Sequence, residues 1–594
     1  MVSDLSNQEQ SHRLQSRIRI DYNQFSTYRF PRTSLGKNSL LNPRVMIIMW
    51  TKMAIDKLRL KKIRPMKQLG FLLGTVFLLG GCHSLNVIQN RPQPLPQDQY
   101  IQVYFNYNQA QGSNYTDPYR QINRPGDNLE QVIIDNINSA KSSIDLAVQE
   151  LRLPAIAQAL VARQQQGIKV RVILENIYNQ PINSLAKNQE QLSDREQERY
   201  QNLFDLVDLN RDGKLSTEEI AQRDAITILK KAGIPLIDDR ADRSKGSGLM
   251  HHKFMVIDNH TTLISSANYT LSDIHGDFSN PKTVGNANHL LVITNPPLAR
   301  VFQREFNLMW GREDQPKFGL DKPQRKPQKI TIGNSSLTVK FSPDSTAYPW
   351  AITSNGLIGE TLNKAEKSVN LALFVLTEQP LANILAQRHQ KGIEIKALID
   401  PSFAFRYYSE GLDLLGVALS NKCRYEPDNQ PWQNPINTLG VPALAAGDKL
   451  HHKFGLIDDK IVITGSHNWS AAANHQNDEA LVIIDNPTVA AHFDREFQYL
   501  YRTAKLGLPE TIKNRIEQDR KNCPQSVTIK SDRLINLNTA TKEELDTLPG
   551  ISGKLAEKII AARQQKPFTS LEDLDRVSGI GQGKINKLKG KVSW

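Results

Sequence analysis

One sequence pattern occurs twice in this chain, at positions 200 residues apart. The first copy, HHKFMVIDNHTTLISSAN, begins at His251, and the second, HHKFGLIDDKIVITGSHN, begins at His451. Both contain HxKxxxxD followed by a serine and an asparagine. Ten residues therefore correspond in pairs: His251, Lys253, Asp258, Ser266 and Asn268 with His451, Lys453, Asp458, Ser466 and Asn468. Two equivalent half-sites indicate a chain that folds into two similar lobes around one symmetric site.

The residue types in this pattern suit phosphodiester chemistry. In an extended segment alternate side chains share a face, so the histidine and lysine of each copy point together while the apolar run continues as a buried strand. A neutral imidazole is a nucleophile toward phosphorus, and a protonated imidazole is an acid for the leaving oxygen. Two lysines and two asparagines would hold the nonbridging oxygens without a metal, so no cofactor is expected for catalysis. A single copy would more simply be a solvated strand.

These residues resemble the duplicated motif of the phospholipase D superfamily, over roughly residues 100 to 505. The resemblance implies that both halves form one active site within a monomer, that one histidine becomes a phosphohistidine and that the other protonates the leaving group. Glu479 in NDEALVI stands at the acidic position with which the family orients a catalytic histidine, but the first copy has Asn288 there. Which histidine attacks is left open by this asymmetry; family analogy favours His251 as the nucleophile and His451 as the acid.

The duplication extends beyond the motif. AKSSIDLAVQEL at Ala140 matches AEKSVNLALFVL at Ala365, and FQREF at Phe302 matches FDREF at Phe493. Each repeat reads strand, helix, strand, motif strand, strand, helix, which predicts an α/β fold of two lobes, each a mixed sheet flanked by helices, plus a small all-α domain. The predicted boundaries are lobe 1 at residues 100–314, a linker at 315–335, lobe 2 at 336–505, a linker at 506–530 and the small domain at 531–594.

An insertion in the first repeat predicts a calcium site. Ala140 and Ala365 are 225 residues apart but His251 and His451 only 200, so the first repeat holds 25 additional residues. That stretch, at about residues 193–222, contains DLNRDGKLSTEE, whose spacing is that of an EF-hand loop with Gly213 at the sharp turn. The predicted Ca²⁺ ligands are Asp208, Asn210, Asp212, Lys214 through its carbonyl, Ser216 and Glu219. The ion would be structural or regulatory; the alternative is a turn that binds nothing.

The C-terminal segment contains two glycine turns, LPGIS at Leu548 and VSGIG at Val577, each followed by a lysine-bearing helix. It resembles the tandem helix-hairpin-helix module of bacterial competence-type DNA receptors. In such modules backbone N–H groups at the turn and helix N-terminus hold a DNA phosphate without reading bases. The matching positions are Gly550, Ser552, Gly553, Lys554, Gly579, Gly581, Gly583 and Lys584. A helical protein-binding module is the alternative.

A lipoprotein signal is predicted near the start of the chain. KKIRPMKQ precedes the apolar run LGFLLGTVFLLGG and Cys82, so residues 66–82 form a signal peptide with a lipobox and Cys82 takes the lipid. Residues 1–65 are an upstream extension, which translation from Met66 would omit entirely and translation from Met53 in part, and residues 83–99 are a tether. We expect an exported, membrane-anchored lipoprotein that faces the periplasm or the cell exterior. A short buried helix is the alternative.

Charge and cysteine content add little to these motifs. The net charge is +13, but the first 68 residues hold 14 Lys and Arg against 4 Asp and Glu, so the total is weak evidence for DNA binding. Export would permit a disulfide between Cys423 and Cys523; two buried free thiols are the alternative, because sequence gives no distance. Trp432 either lines the substrate cleft or packs within a loop.

Three functions remain open. The first is an exported nuclease that cleaves DNA phosphodiesters, favoured because a phosphate-binding module would hold a polymeric substrate near the catalytic lobes. The second is a phospholipase D that hydrolyses membrane phospholipids to phosphatidate or transfers the phosphatidyl group, since a lipid anchor places the chain at a bilayer. The third is a non-catalytic DNA-binding surface lipoprotein, which the intact motifs argue against.

Overall fold

The computed structural model describes residues 91–186, 193–244, 246–311, 315–523, 535–546, 548–588 and 591–594. The predicted upstream extension, the signal peptide with Cys82 and residues 83–90 of the predicted tether lie outside these residues. Apart from Arg91 and residues 193–197, the described residues belong to one compact unit, Pro92–Gln189 with Glu198–Trp594. Within the part of the chain that the structure describes, no helix has the length and apolar character needed to span a membrane.

The first lobe is built on a seven-stranded mixed sheet. Its strands and the small hairpins beside it are β1 (Ile101–Phe105), β2 (Asn114–Thr116), β3 (Asn123–Pro125), β4 (Ser143–Val148), β5 (Lys169–Leu174), β6 (Leu236–Asp238), β7 (Leu249–Met250), β8 (Lys253–Ile257), β9 (Thr261–Ser265) and β10 (His289–Thr294). The sheet order is β1-β10-β9-β8-β4-β5-β6. The pairs β4–β5 and β5–β6 are parallel and the others antiparallel, as expected where a helix connects two neighbouring strands.

Helices cover this sheet. They are α1 (Leu129–Ser139), α2 (Pro154–Gln165), α3 (Ile182–Ala186), α4 (Asp194–Val207), α5 (Thr217–Arg223), α6 (Ala225–Lys231), α7 (Leu271–Ile274) and α8 (Pro296–Trp310), with 3-10 turns at Asn176–Tyr178 and Gly319–Asp321. Helix α8 begins at a capping Asn295 followed by proline and ends at Gly311, whose φ of 76° is the left-handed conformation that glycine adopts readily. Its buried residues recur every three or four positions, which produces the single apolar face that packs on the sheet.

The second lobe repeats this plan. Its strands are β11 (Gln328–Ile332), β12 (Ser335–Ser342), β13 (Ser368–Leu373), β14 (Leu376–Thr377), β15 (Glu394–Ile399), β16 (Leu439–Val441), β17 (Lys453–Ile457), β18 (Ile461–Gly465), β19 (Trp469–Ser470), β20 (Asn477–Asp485) and β21 (Lys505–Leu506). The sheet order is β11-β12-β20-β18-β17-β13-β15-β16-β21. Strands β8 and β17, which start at the motif lysines, occupy the same place in the two sheets.

The second lobe repeats some of the helices of the first, including the long helix that follows the last strand of the repeat. They are α9 (Ser354–Leu362), α10 (Gln379–Gln390), α11 (Glu410–Leu414), α12 (Ala471–His475), α13 (Pro487–Arg502) and α14 (Glu510–Asn522), with a 3-10 turn at Trp350–Ile352. Helix α13 begins at a capping Asn486 followed by proline, as α8 does. Trp432 is buried in the core of this lobe and stacks on His389 at 5.8 Å between ring centroids, so it serves loop packing. The predicted fold class is confirmed.

The two lobes share one apolar core. Phe105 of lobe 1 packs edge-on against Phe493 of lobe 2, with ring centroids 5.1 Å apart, and Phe302 packs in the same way against Phe341 at 5.2 Å. Aromatic pairs of this geometry contribute about 0.5–1.5 kcal/mol each beyond the area they bury. The lobes therefore form one body rather than two independently packed domains.

The C-terminal residues form a small helical domain with its own core. It contains α15 (Lys542–Asp546), α16 (Gly553–Gln565), α17 (Gln582–Leu588), a 3-10 turn at Glu572–Arg576 and the short parallel pair β22 (Ile535–Asn536) and β23 (Val592–Ser593). Leucine, isoleucine and valine side chains of these elements bury one another. The small domain therefore has the apolar core that independent folding requires.

Cys423 and Cys523 form a disulfide that links the loop after α11 to the end of α14. Of the two alternatives that the sequence left open, the structure shows the bond. We expect the double substitution Cys423→Ser and Cys523→Ser to destabilise the folded state by about 2–5 kcal/mol, because the bond closes a loop of 100 residues in the unfolded chain. Thermal unfolding followed by circular dichroism, without reductant, checks this. An unchanged melting temperature would contradict it.

Candidate active site

Backbone pairing between the lobes positions both motif histidines. Strand β7, which precedes His251, pairs in parallel with the start of β20, and the His251 N–H donates to the carbonyl of Asp478 at 3.0 Å. On the other side, the His451 N–H donates to the carbonyl of Ala287 at 3.1 Å. His251 therefore lies beside Glu479, the residue that follows Asp478. His451 lies beside Asn288, the residue that follows Ala287.

His251 is held by a carboxylate. Its Nδ1 lies 2.7 Å from Oε2 of Glu479, and both side chains are buried. An Nδ1–H that donates to a carboxylate leaves Nε2 with a free lone pair and stabilises positive charge on the ring. Glu479 was predicted from the sequence as the acidic partner of a catalytic histidine. The structure places it on the histidine of the other copy.

His451 is held by an amide. Its Nδ1 lies 3.0 Å from Oδ1 of Asn288, and that oxygen also accepts from the Ser266 hydroxyl at 2.7 Å. Asn288 Nδ2 donates to the backbone carbonyl of Asp273 at 3.0 Å, which fixes the orientation of the amide. The Asp273 carboxylate lies farther off, with Oδ1 3.5 Å from His451 Nδ1. A neutral partner stabilises an imidazolium less than a carboxylate does, so His451 gives up a proton more readily than His251.

The two motif lysines are almost fully buried beside the histidines. Lys253 Nζ donates to the His251 carbonyl at 3.0 Å and to Oε1 of Gln149 at 3.3 Å. Lys453 Nζ donates to the His451 carbonyl at 2.5 Å and lies 5.1 Å from the centre of the Phe374 ring. The two ammonium groups thus occupy equivalent positions with different neighbours, one polar and one aromatic.

Burial makes this cluster of four basic groups unfavourable in its fully charged form. Burial, then the nearby charges of Lys253 and Lys453, hold the pKa of both His251 and His451 well below the usual value. Burial lowers the pKa of Lys253 to about 8, against the opposing effect of Glu479, and lowers that of Lys453 well below its usual range. An anionic phosphodiester between these groups would favour their charged forms and raise these pKa values.

The motif asparagines have room for one more hydrogen bond each. In Asn268 and in Asn468 the buried amide oxygen has no partner within the described residues. Turning either amide over presents its N–H₂ group at the same point, where it can donate to a phosphate oxygen. The motif serines have another task. Ser266 binds Asn288, and the Ser466 hydroxyl accepts from the Ala480 N–H at 3.0 Å and contacts Glu479, so both position the histidine partners.

The motif aspartates do not join the histidines. Asp258 and Asp458 follow the far ends of β8 and β17, in turns where their φ values are 54° and 52°. A five-residue strand spans about 16 Å, so these carboxylates lie well away from the site. Each accepts from three successive backbone N–H groups at the start of the neighbouring strand, residues 141–143 and 366–368. They tie the motif strand to its neighbour in the sheet.

Four positions near the histidines were missed by the sequence reasoning. Glu175 Oε2 accepts from the Met250 N–H at 2.6 Å, and Asp400 Oδ2 accepts from the Leu450 N–H at 2.8 Å, so an acid at the end of β5 or β15 anchors the residue before each histidine. Glu175 in VILEN and Asp400 in ALIDP stand at equivalent places in the two repeats, so the repeat itself contained the signal for these two acids. Asp273 and Phe374 carry no such signal, because each has a role in only one lobe.

The predicted calcium loop lies between helices α4 and α5. Asp208 Oδ2 accepts from the Gly213 N–H at 3.0 Å, and Glu219 forms a capping box with Ser216 at the start of α5. In the part of the chain that the structure describes, no group of three His, Cys, Asp or Glu side chains is placed to bind a metal ion. This includes the acids of the predicted calcium loop. Asp208 Oδ1 is buried without a partner among the described residues, which fits a cation at that position.

The predicted phosphate-binding positions form two hairpins in the small domain. Gly550 and Gly579 have φ values of 81° and 103°, the left-handed conformation that the turns require. Ser552 precedes α16 and makes no side-chain capping bond, and Lys554 on the first turn is exposed. Gly581 and Gly583 stand at the start of α17, and Lys584 Nζ donates to the carbonyl of Gly579 at 2.7 Å. Lys584 is thus engaged within its own hairpin.

Two mixed-sheet lobes that share one site built from both HxK motifs define the phospholipase D class of folds. The chain belongs to this family, because residues 133–310 and 358–501, more than half of its length, match the family described as "Cardiolipin synthase, PLD-like domain". Residues 530–593 match the family described as "Helix-hairpin-helix motif". Both predicted resemblances are confirmed.

Individual proteins match parts of the chain. A mitochondrial cardiolipin hydrolase from Chlamydomonas reinhardtii is 23% identical over 154 residues, which are 26% of this chain and 60% of that protein. ComE operon protein 1 from Bacillus subtilis (strain 168) is 43% identical over 61 residues, 10% of this chain and 30% of that protein. A solved structure, phosphatidylserine synthase from Haemophilus influenzae Rd KW20, aligns with 74% of this chain and 97% of its own at 12% identity and a TM-score of 0.42.

We predict that Glu479→Gln lowers the turnover of a small diester such as bis-p-nitrophenyl phosphate by about a hundredfold or more, because the His251 ring loses the carboxylate that stabilises its positive charge. A control is Glu360→Gln, at an exposed surface ion pair with Lys364. Phosphohistidine trapped by quenching in alkaline denaturant, where the phosphorus–nitrogen bond is stable, and located by mass spectrometry should be on His251. A phosphorylated His451 would reverse the assignment.

We also predict an alkaline limit to activity. Lys253 loses its charge as pH rises through about 8, and kcat/KM, which reports on the free enzyme, should fall at or below that pH. Because a bound diester anion favours the charged lysine, the corresponding limb of kcat should lie at higher pH. A pH–rate profile on bis-p-nitrophenyl phosphate, whose own charge is constant in this range, tests both statements. A kcat/KM that stays constant well above that pH would contradict them.

Proposed function

We propose that the chain is an exported phosphodiesterase that cleaves DNA through a phosphohistidine on His251. The observation that carries the catalytic part is the unequal pairing of the two histidines, one with the carboxylate of Glu479 and the other with the amide of Asn288. This pairing supports different roles for two residues that stand at equivalent places in the repeat.

In the first step Nε2 of His251 attacks phosphorus while the bond to the leaving oxygen breaks. That oxygen takes a proton from His451, which is protonated when the anionic substrate is bound. Lys253, Lys453 and the two motif asparagines donate to the nonbridging oxygens and stabilise the charge that develops on them. Glu479 stabilises the positive ring of the attacking histidine.

In the second step the same groups act in reverse. His451, now neutral, accepts a proton from a water molecule as the water oxygen attacks phosphorus. The bond between phosphorus and His251 Nε2 breaks, the histidine is regenerated neutral, and His451 is again protonated. Neither step uses a metal at the phosphate, because lysines and asparagines occupy the positions around it.

DNA is the substrate we favour because the same chain carries a helix-hairpin-helix domain. The left-handed turn at Gly550 and the uncapped start of α16 expose backbone N–H groups beside Lys554, which suits a phosphate of a nucleic acid backbone. The likeness of this domain to ComE operon protein 1 supports the same interpretation. Tethering such a domain to the lobes would raise the local concentration of phosphodiester at the site.

A phospholipid substrate is the second candidate. The family description names cardiolipin synthase, and the first relatives matched are cardiolipin hydrolases. The predicted lipid anchor at Cys82 would also place the site at a membrane surface. The chemistry at phosphorus is the same for both substrates, so groups outside the histidine cluster must decide between them.

Export and calcium binding complete the proposal. The disulfide between Cys423 and Cys523 supports an oxidising compartment outside the cytoplasm, which agrees with the lipobox at Cys82. Calcium would bind the loop from Asp208 to Glu219, with Asp208 Oδ1 as a carboxylate oxygen already buried and without a partner among the described residues. The loop belongs to the insertion of lobe 1, so its ion would act on stability or regulation.

The substrate test compares residues 84–594 with a chain that lacks residues 531–594. On long duplex or single-stranded DNA we expect cleavage. We expect the deletion to raise KM and to reduce the slope of binding against salt by about one unit for each phosphate that the domain neutralises. Hydrolysis of bis-p-nitrophenyl phosphate should be unaffected by the deletion. His251→Ala and His451→Ala are the inactive controls. Rapid hydrolysis of phosphatidylcholine or cardiolipin vesicles with DNA left uncut would establish the second candidate instead.

Calcium should raise the melting temperature without being required for cleavage, because a ligand that binds only the folded state stabilises it. Glu219→Gln should remove this increase. Glutamine keeps one amide oxygen for the capping box of α5, but its N–H₂ group cannot accept from the Leu209 and Asn210 N–H groups as Glu219 Oε1 does. The calcium-free melting temperature of the variant is therefore the reference for its calcium-dependent shift. Glu218→Gln, at the exposed neighbouring position, is the matched control. A calcium-dependent shift that survives Glu219→Gln would refute the site, and loss of all cleavage in EDTA by a folded protein would refute metal-free catalysis.

A further inference from the structure

The two sides of the active site differ most at one pair of equivalent positions, Gln149 in lobe 1 and Phe374 in lobe 2. The backbone shows their equivalence: the Gln149 N–H donates to the His252 carbonyl at 3.0 Å, and the Phe374 N–H donates to the His452 carbonyl at 2.7 Å. Both residues directly follow the strand beside the motif strand. One position therefore presents an amide to the site and the other an aromatic ring.

Phe374 borders the space where the scissile group must lie. Its ring packs edge-on against the His451 imidazole, with centroids 5.0 Å apart, and lies 5.1 Å from Lys453 Nζ. Both of these groups must face the phosphate. The Phe374 ring is half-buried and contacts both groups, so it borders the site that they form.

A second ring extends this wall. Phe403 packs against Phe374 with centroids 4.7 Å apart and is also half-buried. Its equivalent in lobe 1 is Tyr178, because each residue's N–H donates to the backbone carbonyl of the acid that ends the preceding strand, Glu175 or Asp400. Tyr178 is covered by the Arg199 guanidinium, 4.9 Å from its ring centre, and Arg199 also binds Glu150. Lobe 1 thus has a polar, charge-paired wall where lobe 2 has an aromatic one.

We infer that Phe374 and Phe403 form a stacking subsite for the nucleobase on the leaving side of the scissile phosphate. The inference rests on the proposed function. In-line displacement puts the attacking and leaving atoms on opposite sides of phosphorus, so the leaving nucleoside lies on the side of His451, where the aromatic wall is. Aromatic rings bind bases of any sequence by stacking, which suits an enzyme whose DNA-binding domain holds phosphates and reads no bases.

The test is a double-mutant cycle between Phe374 and the base. Short single-stranded oligonucleotides with one cleavable phosphodiester, the other linkages being methylphosphonates, would carry a normal nucleotide, an abasic residue on the leaving side or an abasic residue on the retained side. We expect Phe374→Leu to lower kcat/KM about tenfold on the normal substrate, and to have less than about a twofold effect when the leaving-side base is absent. On the retained-side abasic substrate the tenfold effect should persist.

Two further variants separate stacking from disturbance of the site. Phe374→Trp keeps an aromatic face and should retain both activity and the coupling to the leaving-side base. Gln149→Leu, at the equivalent position of lobe 1, should change the rates on normal and leaving-side abasic substrates by the same factor. The melting temperature of each variant verifies folding.

The outcomes distinguish the subsite from the function on which it rests. If the wild-type protein leaves DNA uncut and hydrolyses lipid vesicles, the proposed function fails. If it cleaves DNA and Phe374→Leu reduces the rate equally on normal and leaving-side abasic substrates, the stacking subsite is refuted while the nuclease stands. Coupling to the retained-side base instead would also refute this placement.

Discussion

The catalytic cluster depends on backbone hydrogen bonds that cross between the lobes. The His251 N–H binds the carbonyl of Asp478, and the His451 N–H binds the carbonyl of Ala287. These bonds set the register of each histidine against the opposite lobe, so that the next side chain there reaches its ring. Because the lobes also share an apolar core, neither half-site has its geometry alone. A duplicated chain thus produces one site rather than two.

Within this symmetric frame, a few side chains give the site a direction. The Glu479 carboxylate stabilises positive charge on the His251 ring. The neutral amide of Asn288 stabilises it less on the His451 ring, which is therefore the better proton donor. The same asymmetry continues outward, where Gln149 of lobe 1 occupies the position that corresponds to Phe374 of lobe 2. The backbone arrangement at the motif is the same in both lobes, where a rigid strand begins beside the motif histidine and lysine. In the proposed mechanism, the side chains that differ determine which half of the substrate each lobe contacts.

The features of the two lobes that could be predicted from the sequence are those that occur in both repeats. The paired motif predicted His251, Lys253, His451 and Lys453 together, and the alternating elements predicted the two mixed sheets. The partnership of Glu479 with the histidine of the other copy was not predictable, because it arises from strand pairing between the two lobes, and His251 and Glu479 are 228 residues apart in sequence. The role of Asp258 was misjudged for a related reason: its repetition marks importance, but its place after the far end of β8 makes it a link between strands.

The electrostatics of the cluster favour the binding of an anion among its basic groups. Four basic groups are buried together. Burial lowers the pKa of each, and repulsion from the neighbouring lysines lowers it further for His251, His451 and Lys453. Glu479 and the more distant Asp273 oppose this repulsion from within the protein. A phosphodiester supplies further negative charge, and by raising the pKa of His451 it also supplies the condition under which that residue can act as an acid. Substrate binding and the protonation state needed for catalysis are therefore coupled by the same burial that makes the empty cluster unfavourable.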